Sequence, residues 1–197
     1  MILKKETVYR VFSHLPTLET DRLILRRMAV TDAEDMFAYA KNEETTRYLT
    51  WYPHRDVNYT REYLRYIGQR YRVGSFYDWA LEWKQDHRMI GTCGFTSFDF
   101  PNNRGEIGYV INPAYRGQGI APEACRAVMT FGFTELGLHR IEARYITGND
   151  ASEHVMEKLG MKPEGVSRGA MLIKGQYRDI GICAILRDEF LAGKKSE

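Results

Sequence analysis

The stretch of this chain best suited to chemistry is Arg116-Gly117-Gln118-Gly119-Ile120-Ala121. It lies where a strand-like run, residues 106–111, hands over to a helical pattern that continues to Leu136. Glycines let successive backbone N–H groups turn toward one point with no Cβ in the way. The start of a helix adds unsatisfied N–H donors and a partial positive charge. Together these suit a phosphate or diphosphate, and Arg116 would add a full charge at the edge. The same residues also read as a glycine turn that holds nothing. A Walker loop would need Lys followed by Ser or Thr after its last glycine, and neither is present. A Rossmann turn would have its glycines directly after the strand; here residues 112–116 intervene and Pro122 stands at the third glycine position.

The surrounding pattern must position that loop. Residues 22–28 read as a strand. Thr31-Asp32-Ala33-Glu34 fits a capping box, opening a helix whose inner face is Ala33, Met36, Phe37 and Ala40. A second helical stretch, 58–71, carries Tyr63, Tyr66, Ile67 and Tyr71 on one side. Between the two lies an aromatic segment, 48–54. Residues 76–83 and 89–98 alternate as strands around a turn at 85–87, and a second turn at 101–105 precedes the strand at 106–111. The helix after the glycine loop has an inner stripe of Ala121, Ala124, Cys125, Val128, Met129, Gly132 and Leu136, with Gly137 as its cap. A strand at 140–146, a short helix at 151–159 and strands near 170–173 and 177–186 complete the order. The resulting β-α-α-β-β-β-α-β-α-β-β sequence predicts an α/β (α+β mixed) fold with a mixed sheet.

Several motifs resemble those of the GNAT acyltransferases. Arg116-x-x-Gly119-x-Ala121 is similar to the R/Q-x-x-G-x-G/A loop by which that family binds the diphosphate of acetyl-CoA. Thr20-x-Arg22-Leu23-x-Leu25-Arg26 resembles its first strand, and Gly108-Tyr109-Val110-Ile111 followed by Pro113 its fourth. Glu123-Ala124 resembles the pair that follows the loop. Asn149-x-x-Ser152, Lys158-Leu159-Gly160-Met161 and Tyr177-Arg178-Asp179 resemble later elements in the same order. The match spans about residues 18–190 of a chain expected to form a single domain, 1–197. Arg47-Tyr48-Leu49-x-Trp51 together with N-x-x-S resembles the Rim-type branch, which acetylates N-terminal amines of ribosomal proteins and has members acting on small-molecule amines.

The resemblance implies a mostly antiparallel central sheet, splayed between its fourth and fifth strands, with flanking helices. It implies acetyl-CoA as cosubstrate, held by Arg116, Gly117, Gln118, Gly119, Ile120 and Ala121, with Val110 and Ile111 along the splayed edge and Asn149 and Ser152 nearby. No metal is implied. Glu106 shares a face with Gly108 and Val110 and is the expected general base, since a carboxylate can take an ammonium proton through a water. The plainer reading is a solvated glutamate beside Arg104. Many family members use a helix tyrosine as the acid; that position is Met156, which cannot donate a proton, so Ser152 is the expected substitute. Trp51, Tyr52, Phe95 and Tyr115 are expected to line the acceptor pocket, with Tyr48, His54 and Phe98 as further candidates. The expected acceptor is a protein N-terminal amine of ribosomal type, with a small-molecule amine or a non-catalytic CoA-binding module as alternatives.

Composition narrows the partners. The chain has 197 residues, 44% hydrophobic and 27% charged, with 28 Lys and Arg against 26 Asp and Glu for a net charge of +2. That balance does not predict direct nucleic-acid or membrane-surface binding. No run approaches 18 apolar residues, and residues 1–12 lack a secretory pattern, so a cytoplasmic monomer or homodimer is expected. Cys93, Cys125 and Cys183 are odd in number and widely spaced, and read as small buried hydrophobes. Their distance in sequence from the site motifs favours direct acetyl transfer.

Overall fold

The computed structural model describes residues 3–193. Strands β1 (Leu18–Glu19), β2 (Leu23–Arg26), β3 (Asp78–Trp83), β4 (Met89–Asp99), β5 (Arg104–Ile111), β6 (Arg140–Ile146), β7 (Lys162–Ile173) and β8 (Gln176–Leu186) form one sheet in the order β1-β2-β3-β4-β5-β6-β8-β7. Every pairing is antiparallel except β5 with β6. Helices are α1 (Lys5–Ser13), α2 (Ala33–Ala40), α3 (Glu43–Thr46), α4 (Val57–Arg72), α5 (Ile120–Thr134), α6 (Asp150–Lys158) and α7 (Arg187–Gly193). The short β1 shifts the count, so the strands expected to part are β5 and β6.

They do part. The parallel ladder joins Arg104–Ile107 to Arg140–Ala143 and stops there. Beyond it β5 stays paired with β4 as far as Ile111, while β6 stays paired with β8 as far as Ile146. A register shift in β4 between Phe95 and Ser97 lies opposite the point of divergence; an extra residue there bends the strand and sharpens its twist. The facing edges of β5 and β6 are thereby left open.

Register also sorts side chains by face. Asp78, Gly94 and Gly108 sit opposite one another across β3, β4 and β5, as do Trp79, Cys93 and Tyr109 in the next row. Opposite residues share a face and successive residues alternate. Cys93 Sγ lies 3.6 Å from Cys125 Sγ of α5, so the second row faces α5. The first row faces the other side, where α2 and α4 pack together.

Four elements differ from expectation. Helix α1 buries only Val8 and Phe12 in a polar segment, too few apolar positions to signal a helix. On α4 the inward residues are Thr60, Leu64, Ile67 and Tyr71, while Tyr66 is exposed; on α2, Tyr39 is buried and Phe37 only partly so. Strand β7 is longer than its pattern predicts because it lies at the sheet edge, exposed along most of its length, where alternation has no reason to appear. Among the described residues no helix is long and apolar enough to cross a membrane.

Candidate active site

The glycine loop has the geometry of an anion cradle. Gly117 and Gly119 adopt φ of 75° and 76°, the left-handed region where a side chain is strained. The N–H groups of residues 117–121 have no acceptor among the described residues, and Pro122 sits within the first turn of α5, where a missing N–H costs nothing. No atom lies within 4 Å of a Cβ built at Gly117. Glu123 ties this helix start to the sheet: it accepts from Thr20 Oγ1 at 2.6 Å, from the Arg22 backbone N–H at 3.1 Å and from Arg22 Nε at 2.7 Å. Arg22 in turn donates to the Gln118 carbonyl at 2.9 Å. Arg116 reaches away from the loop, toward the Ile111 carbonyl at 3.3 Å and Thr45 Oγ1 at 3.4 Å on α3. The cation bonded to the loop itself is therefore Arg22, whose part a reading of local motifs missed.

Between the open edges of β5 and β6 begins a cavity of about 930 Å³. Glu106, Gly108, Tyr109 and Val110 line it from β5, and Asn149, Ser152 and Met156 from α6 and its approach. The Glu106 carboxylate is one-fifth exposed and meets Arg144 Nε at 3.4 Å, not Arg104, which pairs with Asp99 and Glu142. Arg144 also contacts Glu142 at 3.1 Å, so one guanidinium serves two neighbouring carboxylates. Asn149 caps α6 and donates from its side-chain amide to Ser152 Oγ at 2.9 Å. That bond occupies a lone pair of Ser152 and leaves its own proton free to point elsewhere. The Tyr109 hydroxyl is buried and makes no hydrogen bond of good geometry among the described residues, with the Ser152 side chain beside it. Burial pushes the Tyr109 phenol well above its ordinary range. By pattern alone Tyr109 reads as a strand residue.

The far end of the cavity is aromatic. Trp51, Tyr52 and His54 of the 48–54 segment line it with Tyr63 of α4 and Tyr77. This segment bridges the sheet, with Tyr48 donating to the Gly148 carbonyl at 2.9 Å and Lys174, from the β7–β8 turn, donating to the Thr46 carbonyl at 2.6 Å. The His54 ring bonds Thr60 Oγ1 at 2.8 Å, and burial lowers its pKa, so it is neutral at physiological pH. At the floor lies Asp78. The Trp79 N–H donates to it at 3.0 Å and the Thr92 hydroxyl adjoins it, but no cation pairs with it among the described residues. Desolvation pushes its carboxyl up to about 7. A carboxyl with a raised folded-state pKa contributes stability that is full below about pH 4 and is lost as pH rises through 7. Asp78→Asn is therefore expected to melt with the native protein at pH 4.5 and roughly 5 °C above it at pH 8.5. Parallel calorimetric melts check this; coincident curves at the higher pH would remove the argument.

Similarity to known proteins gives this geometry a family. Residues 22–162 match the family described as Acetyltransferase (GNAT) domain. The uncharacterized N-acetyltransferase YoaA of Bacillus subtilis is 36% identical over 172 residues, covering 87% of this chain and 97% of that protein. This chain is a GNAT acetyltransferase. The acetyltransferase is also 28% identical over 188 residues to the ribosomal protein uS5-alanine N-acetyltransferase of Escherichia coli, covering 90% of this chain and 94% of that one. A GNAT-family crystal structure from Bacillus anthracis superposes with a TM-score of 0.78 at 28% identity, covering 88% of this chain and all of that chain. An acetyl-CoA-dependent acyltransferase follows from membership.

Not every expected site residue of this acetyltransferase gathers at the cavity. Tyr115 packs on Trp83, ring centroids 5.9 Å apart, with its hydroxyl 3.3 Å from Asp86, and does not line the cavity. Phe95 borders the cavity, but its ring is buried among Phe98, Gly105 and Gly132 on the α5 side. The causes differ: strand register sends the Phe95 ring to the face opposite Asp78, whereas Tyr115 belongs to the short 3-10 turn Pro113–Tyr115 beyond the end of β5. Phe98 packs on Phe12 and Tyr77 in the same cluster. Ile111 and Ile120 are buried in the core, leaving only their backbone to a ligand. Cys93 and Cys125 lie closer to the site than sequence distance implied, because Cys93 is opposite Tyr109. Both are fully buried, and burial pushes the Cys93 thiol well up, which disqualifies it as a nucleophile.

Proposed function

We propose that this acetyltransferase transfers an acetyl group directly to a primary amine of a small molecule held in the aromatic-walled cavity, with Glu106 accepting the amine's proton. The observation that carries this reading is the continuity of one cavity from Trp51, His54 and Asp78 to Glu106, Val110 and Ser152. Acetyl-CoA, when bound, supplies the acetyl group as an activated thioester. Residues 117–121 fit its diphosphate through their free N–H groups and the positive end of α5. Val110, on the open edge of β5, offers main-chain groups to its extended arm. Glu106 takes the proton through a water, since an ammonium of pKa about 8 to 10 must lose one to become nucleophilic. Ser152, oriented by Asn149, and Tyr109 are hydroxyl donors on the α6 side of the opening, where Met156 has no proton to give. They are the residues suited to hold a hydrogen bond to the departing sulfur.

Two acceptor classes follow from the sequence. The Escherichia coli relative supports a protein N-terminus. The cavity supports a small molecule more strongly, because a carboxylate at its floor serves a ligand that enters whole. A free-thiol assay with small primary amines and with free-N-terminal peptides, products identified by mass spectrometry, tests this. Small amines are expected to give the higher kcat/KM. Faster N-terminal acetylation of peptides would overturn the acceptor class, and acetyl-CoA binding with no thiol release from any amine would overturn the transfer itself.

A further inference from the structure

The floor of the cavity holds a carboxylate that the transfer reaction does not use. Asp78 carries no ion pair among the described residues and is half-buried by surface, so water-sized groups reach it, yet protein surrounds it densely. Among the described residues its donors are the Trp79 N–H and the adjoining Thr92 hydroxyl. Beside it the Tyr39 hydroxyl, on a residue 2% exposed, has no hydrogen-bond partner among the described residues, and Tyr39 borders the same cavity. Buried polar groups in folded proteins are almost always satisfied, so an unsatisfied hydroxyl and an unpaired carboxylate in one pocket point to a missing polar group. The walls around them are the rings of Trp51, Tyr63 and Tyr77. Aromatic faces with a carboxylate attract a cation and repel an anion.

The sheet sets the distance to the reacting end. Asp78, Gly94 and Gly108 lie in one row, so neither Gly94 nor Gly108 puts a side chain of its own between the carboxylate and the open edge of β5; the Thr96 methyl group, 2.8 Å from where a Gly108 Cβ would stand, borders that path. A Cβ at Gly94 would come within 2.8 Å of Asp78 Oδ1. Two strand spacings separate Asp78 from Gly108, about 10 Å between backbones.

We propose that Asp78, with Tyr39 and the aromatic walls, binds a second positive group of the acceptor, so that the preferred substrate is a small amine bearing two cationic centres about 6 to 9 Å apart. This rests on the reading of the cavity as the acceptor site. One end lies against Asp78 and accepts a hydrogen bond from nothing; it donates to the carboxylate and to Tyr39 Oη. The other end reaches Glu106 and is acetylated. A monoamine of equal length leaves Asp78 unpaired, and an acceptor with a carboxylate at the far end meets like charge.

The test compares linear α,ω-diamines of three to six methylenes with monoamines of the same length. Thiol release gives kcat/KM, and calorimetry with CoA present gives affinity independently of turnover. The native enzyme is expected to prefer the best diamine about 30-fold, with an optimum length within the series. Asp78→Asn is expected to reduce that preference to near unity, and Tyr39→Phe to reduce it several-fold with the fold intact by circular dichroism. Equal affinity for diamine and monoamine in the native enzyme, or a preference that survives Asp78→Asn, would overturn the proposal. If diamines bind with the stated preference but release no thiol, the cation site stands and the transfer reading fails. If monoamines or peptides turn over as well as diamines, the transfer reading stands and the cation site fails.

Discussion

Glu106→Gln is expected to lower kcat/KM for the amine about 100-fold while acetyl-CoA affinity changes less than about twofold. The amide keeps the size of the carboxylate and can still meet Arg144, which retains its contact with Glu142. What it loses is the capacity to take a proton. The loss corresponds to about 2.7 kcal/mol of barrier, within the range of a single general base. The pH profile separates this from a structural effect. Deficits caused by a missing base shrink as pH rises toward the amine pKa, because solution then supplies the neutral amine. A misfolded or misdocked variant stays impaired at every pH. Native turnover in Glu106→Gln would remove the residue from the role.

The second large effect is at the anion cradle. Gly119→Val forces a β-branched residue to φ 76°, which costs on the order of 1 to 2 kcal/mol of stability. Relief of that strain would rotate the peptide groups of residues 118–120 and scatter the N–H groups that converge beside α5. The acetyl-CoA KM is expected to rise at least tenfold, with a smaller change in kcat at saturation, since a diphosphate held at the loop is a part of the cosubstrate remote from the reacting atoms. Titration of acetyl-CoA by calorimetry, beside steady-state kinetics, checks both. An unaltered acetyl-CoA affinity in a folded Gly119→Val protein would mean that the diphosphate lies elsewhere. Glu123 makes a useful contrast, because its bonds to Thr20 and Arg22 hold the loop against the sheet from outside the cradle.

Much of this was legible from neighbouring residues. The glycine loop, the helix behind it with its inner stripe from Ala124 to Leu136, and the strand at Arg140–Ile146 are all written in local period and local backbone demand. Their physical cause lies within a few residues: a left-handed turn needs glycine, and a buried helix face needs an apolar residue every three or four positions. Glu106 could be singled out for the same reason, by alternation with Gly108 and Val110.

Tertiary structure alone decided the rest. Asp78 reads in sequence as a polar residue within the strand at 76–83; only register, which sets it beside Gly94 and Gly108, makes it the floor of a cavity. Arg22 reads as a strand opener; only Glu123, a hundred residues on, turns it toward the Gln118 carbonyl. Tyr115 and Phe95 have the right composition for a pocket, but Tyr115 packs on Trp83 and the Phe95 ring is buried toward α5. Periodicity is a short-range property and survives in a string of letters. Which residue lies opposite which, and where two strands cease to pair, depends on bulges and packing between segments far apart in the chain, and those are settled only when the whole sheet closes on its helices.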